Sequence, residues 1–76
     1  MKPSAKTPIN PEKLLLSKWT AVVVRDKQKH FIVTQLQRDE QERVYGCILE
    51  AVINHQEYAL DWQVLKDPGL WLPGWR

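Results

Sequence analysis

A chain of 76 residues has room for one domain and not for two, and a domain of that size buries only about 60% of the surface its unfolded chain exposes. With 43% hydrophobic and 26% charged residues it is neither a disordered polyelectrolyte nor a membrane-spanning segment, its longest apolar runs being Leu14–Leu16 and Ala21–Val24. The net charge of +2 conceals an uneven distribution, seven basic against two acidic residues in 1–30 and four against seven in 31–76. Such a division can orient a protein on a polyanion.

Residues 1–9, with Pro3, Pro8, Lys2 and Lys6 and nothing periodic to bury, read as a flexible tail ahead of a domain spanning 10–76. No apolar stretch follows the lysines, so no secretory leader is expected, and the chain reads as cytoplasmic. Asn10 and Pro11 are the preferred cap and first-turn residues of a helix, which Glu12 to Leu15 continue for about one turn.

Trp19 to Arg25 and His30 to Gln37 are rich in β-branched residues and are separated by Asp26 to Lys29, which predicts a hairpin. In its second strand Phe31 and Val33 fall on one face, and Ile32, Thr34 and Leu36 on the other. Apolar residues on both faces fit a strand covered on two sides, as in a strongly curved sheet or small barrel. The charged turn Arg38 to Glu42 leads into Arg43 to Ile53, the longest strand candidate, where Gly46 marks a bulge or bend. Cys47 in the same run stands alone. It reads as a small buried hydrophobe, and no cysteine zinc site of familiar spacing exists.

Asn54 to Gln56 form a turn into Glu57 to Trp62, whose alternation sets Tyr58, Leu60 and Trp62 on one face. Asp61 is placed to cap a helical turn through Lys66, which Asp67, Pro68 and Gly69 end. The chain closes in LWLPGW, where Pro73 and Gly74 predict a turn that lets Trp71 and Trp75 approach each other or reach different parts of the core. The predicted class is therefore mainly β. It is a single small domain, a strongly curved antiparallel meander or SH3-like small barrel of four to five strands, with a short N-terminal helix and one helical turn before the C-terminal segment.

The segments NPEKLLLSKWTA, KHFIV, LEAV and LDWQVLKD, with the closing W-x-x-G-W of Trp71 to Trp75, together resemble a family of small tryptophan-rich bacterial proteins of unknown function. The resemblance runs from Asn10 to Trp75 and implies a family without implying an activity.

Nothing in the chain assembles an enzyme. His30 and His55 fall at a strand start and in a turn, with no serine or carboxylate at catalytic spacing, and the three glycines make no phosphate-cradling loop. No catalytic residue, metal or cofactor is expected. The expected function is a non-catalytic binding module for RNA or a ribonucleoprotein. Its candidate residues are aromatic and basic: Trp71, Trp75, Lys18, Trp19, Arg25, Lys27, Lys29 and Arg76. Against this stands the need of so small a domain for large core residues, which four tryptophans also meet. The alternative is a protein-interaction or homodimerisation domain that uses an exposed tryptophan surface or an edge strand. A small-molecule pocket between the sheet and the terminal segment is a third reading.

Overall fold

The structure is a computed structural model and describes residues 7–76. Five antiparallel strands form one sheet: β1 (Lys18–Arg25), β2 (Gln28–Arg38), β3 (Val44–Ala51), β4 (Glu57–Asp61) and β5 (Trp71–Pro73), in the order β4-β3-β2-β1-β5. The first four make the expected meander, and β5 returns to pair with β1, setting Ala21 opposite Trp71 and Trp19 opposite Pro73. Two 3-10 turns, Pro11–Lys13 and Trp62–Lys66, are the only helical elements among the described residues, and neither could cross a membrane. Most of the expected N-terminal tail lies outside the described residues. Of its last three positions, Ile9 packs against the core and the Thr7 N–H donates to the Lys66 carbonyl at 3.0 Å.

Local chemistry explains each element. The side chain of Asn10 accepts from the Glu12 N–H and Pro11 opens the first turn, but Leu14 is buried and Leu16 sits at a φ of 66°, so the chain reverses after one turn. Leu16 and Ser17 then bond to the backbone of Val33 and lead into β1. Between β1 and β2 the turn is two residues, with Asp26 and Lys27 at φ 52° and 63°, the left-handed pair that matches the twist of a hairpin. Asp61 caps the second 3-10 turn by accepting from the Gln63 N–H, so Trp62 leaves the strand that alternation assigned to it. At the far end of β2, Arg38 makes a bidentate pair with Glu12, both exposed. This bond holds the Glu12 carboxyl below its usual range.

The register departs from simple alternation at three points. Between Val33 and Gln35 the β2–β3 ladder slips by one residue, which returns Leu36 to the core side instead of the opposite face expected for it. A second slip leaves Tyr45 unpaired beside Gly46, the bend expected there. The third lies in β1 between Thr20 and Arg25, where Val22, Val23 and Val24 have no partner in β2 and are exposed. The third strand ends at Ala51, earlier than expected, because the Ala51 carbonyl accepts from the His55 N–H while its own N–H donates to Gln56. Val52 and Ile53 are thereby exposed in a turn.

The core lies on one face of the sheet and consists of Leu14, Trp19, Ala21, Phe31, Val33, Cys47, Leu49, Ala51 and Leu65. Strands β4 and β5 do not pair, so the sheet is open rather than a closed barrel. Only three residues long, and without a proline N–H at its end, β5 offers little to a further strand. Instead the second 3-10 turn bridges the gap and pushes Leu65 fully into the core. The sheet is nevertheless strongly coiled. Laid flat, β4 and β5 would stand about 19 Å apart, yet Tyr58 and Leu60 of β4 line one cavity together with Trp71 of β5.

Candidate functional site: a basic aromatic face outside the sheet

The tryptophans take three kinds of environment. Trp19 is 4% exposed, its Nε1–H donating to Ser17 Oγ at 2.8 Å. A ring so placed belongs to the core and has no face left for a ligand, so it leaves the set of binding candidates. Trp62 is half-buried, donating to the Val44 carbonyl at 3.1 Å, with Lys66 Nζ 4.8 Å from its ring centroid. Trp71 and Trp75 lie on opposite faces of the sheet. Opposite inward-facing Ala21, Trp71 packs edge-on against Phe31 at 5.1 Å.

Gly74 takes the chain to the other face. Its φ of 79° belongs to the left-handed region that glycine enters freely, and its N–H continues the ladder to the Lys18 carbonyl. The chain then folds over the outside of β1 and β2 and is fastened there. The Thr20 hydroxyl donates to the Gly74 carbonyl at 2.7 Å and accepts from the Arg76 N–H at 3.0 Å. His30 Nε2 donates to the Arg76 carbonyl oxygen at 2.9 Å, and the Trp75 indole N–H donates to the Phe31 carbonyl at 2.9 Å. These bonds fix the Trp75 ring, which remains 44% exposed. Lys18 Nζ stands 4.7 Å from its centroid and the His30 ring 6.0 Å away at 44°. A cation over an indole face is a favourable pair.

Of the residues picked out in the sequence, Lys18, Trp75 and Arg76 come together on this outer face. Arg25, Lys27 and Lys29 sit around the β1–β2 turn of the same hairpin. The hairpin and the terminal segment over it thus carry six cations, Lys18, Arg25, Lys27, Lys29, Arg38 and Arg76, against the single carboxylate of Asp26, and of the six Arg38 is paired with Glu12. Strands β3 and β4 and the turn between them hold Glu50, Glu57 and Asp61 with no lysine or arginine. Strand order therefore turns a charge asymmetry along the chain into one across the molecule. Sequence reasoning missed His30 and Thr20, whose roles depend on partners 46 and 56 residues away.

On the inner face, a second feature of the described residues is a cavity of about 480 Å³ between the two free edges, with Phe31 and Leu49 in its floor. A wider hollow of about 700 Å³ runs along 63–70 and is lined by that one continuous segment. In that hollow, Asp67 Oδ1 accepts the Gly69 N–H.

Searches among curated proteins and among solved structures found no match to this chain. The family model described as "Tryptophan-rich protein (DUF2389)" matches residues 17–76, which hold β1 to β5 and all four tryptophans, and the chain therefore belongs to that family.

Proposed function

We propose that this protein is a non-catalytic, cytoplasmic module of SH3-like architecture that binds single-stranded RNA, free or in a ribonucleoprotein, on the outer face of the β1–β2 hairpin. The observation that carries the reading is Trp75: a ring fastened through its N–H, exposed, and bordered by Lys18, His30 and Arg76. A base can stack on such a ring without the protein first having to order it, once the Lys18 ammonium over its face moves aside to join the other cations on the phosphates. The hairpin extends the same positive surface to Arg25, Lys27 and Lys29.

The test is the anisotropy of a labelled single-stranded RNA titrated across salt. Contact with three or four phosphates gives a slope of log Kobs against log salt of about −2 to −3. Trp75→Ala is expected to weaken binding roughly 5- to 150-fold, the range for loss of one stacked base. Replacing Lys27 and Lys29 with alanine should flatten the slope. Binding that ignores salt and both sets of substitutions would overturn the reading.

A second reading rests on a different observation. Val22, Val23 and Val24 are exposed in succession where β1 has parted from β2, beside exposed Leu70. Apolar surface exposed on both sides of the strand, with Val23 and Leu70 bordering the inner cavity, suits a protein partner or a second copy. Mass in solution measured over a wide concentration range separates the two readings, since a monomer that still binds RNA excludes self-association as the main activity.

A further inference from the structure

The inner cavity is the feature that the outer face leaves unused. It opens between Tyr58 and Leu60 on one side and Leu70 and Trp71 on the other. Its volume falls within the range of small-molecule pockets. Three aromatic rings meet there: Phe31 contacts the edge of Trp71 at 83° and that of Tyr58 at 65°, with centroids 5.1 and 6.1 Å away. Residues that could fill the space do not. Val23, Leu70 and Tyr58 border it and stay exposed.

The mouth carries Arg25, Asp26 and Gln28. Gln28 is 6% exposed, an unusual depth for an amide in so small a domain. Its Oε1 accepts from the Tyr58 hydroxyl at 2.5 Å and its Nε2 donates to Gln56 Oε1 at 2.7 Å. A carboxamide has two N–H groups and two lone pairs. One donor and one acceptor of this planar group, which lines an aromatic cavity, therefore remain to be matched. A planar ring with an adjacent acceptor and donor is their complement, and adenine, with N7 beside its N6 amine, is the base that glutamine pairs with in this way.

We propose that the cavity is a purine pocket that takes adenine, its ring between Trp71 and Tyr58 and its N6/N7 edge on Gln28. The base would come from the RNA of the outer-face reading, on which this inference rests for the source of its ligand. Arg25 belongs to both regions, so a strand with one base on Trp75 can cross the hairpin and insert another. Arg25 and Asp26 give the mouth one charge of each sign, so it has no net attraction for a phosphate and suits a neutral nucleoside.

The experiment is a titration of the full chain with adenosine, which carries no phosphate, followed by amide and indole NMR shifts, with inosine as the control. Inosine keeps N7 and replaces the amine with an acceptor. Saturable shifts are expected at Gln28, Phe31 and the Trp71 indole, with adenosine bound roughly 5- to 150-fold more tightly than inosine. Leu60→Trp, which fills the cavity, should abolish them and leave salt-dependent RNA binding through Trp75 in place. If that variant fails to fold, the shift map of the unaltered chain decides. No saturation by roughly 10 mM adenosine, equal binding of inosine, or shifts confined to Trp75 and His30 would each overturn the pocket. Adenosine in the cavity without RNA on the outer face would overturn the earlier reading and keep this one.

Discussion

Gly46 leaves no room for a side chain between β2 and β4. A Cβ built there would lie 2.9 Å from the Leu60 carbonyl oxygen and 2.5 Å from Gln37 Oε1, so even alanine must push β4 away from β3. Gly46→Ala is expected to destabilise by about 1 to 3 kcal/mol, the usual loss on overpacking, measured as a shift in the urea midpoint. Its neighbour Cys47 has no exposed surface, and burial, helped by the charge of Asp61, pushes its thiol up to about 11 from an ordinary value near 9. Above pH 9 the unfolded chain gives up this proton while the folded chain keeps it. The unfolded state then binds fewer protons, and stability falls as pH rises toward 11. Comparing urea midpoints of the parent and Cys47→Ala across that window isolates the effect, since the parent should lose stability faster. Parallel profiles would show that the thiol titrates alike in both states.

The hairpin formed by β1 and β2 is the element on which both proposed sites depend, and its turn is strained. Lysine at a φ of 63° costs roughly 1–2 kcal/mol. Glycine there removes that cost and adds about 0.5–1 kcal/mol of unfolded-state freedom. Lys27→Gly should therefore raise stability by about 0.5 to 1 kcal/mol in thermal unfolding while weakening RNA binding. The strands themselves were legible as β-branched runs punctuated by polar turns, and so were Asp61 as a cap and Gly46 as a bend. Leu36 was not, because a one-residue slip at Thr34 is a property of the paired ladder and leaves no mark on period-two alternation. The two sites were only partly legible for the same reason. Lys18, Trp75 and Arg76 stand out by type, whereas the Thr20 clasp and the cavity exist only once distant segments have met.

At the scale of the molecule, the open sheet leaves two edges that need protection from other chains. On the β4 side, Glu57 and Asp61 supply charge, and on the other Pro73 removes a donor from a strand of three residues. Short, charged and proline-blocked edges discourage the addition of a further strand. The return of β5 to β1 has a further consequence, in time. Thr20 and Gly74 are 54 residues apart, and a ribosome adding about 5 to 20 residues per second takes roughly 3 to 10 seconds to cover that distance. Until then Trp19, Thr20 and Ala21 of β1 have no strand on their outer side. The outer edge of β1 therefore stays unpaired for seconds during synthesis, and slowing translation across 63–70 would lengthen that interval.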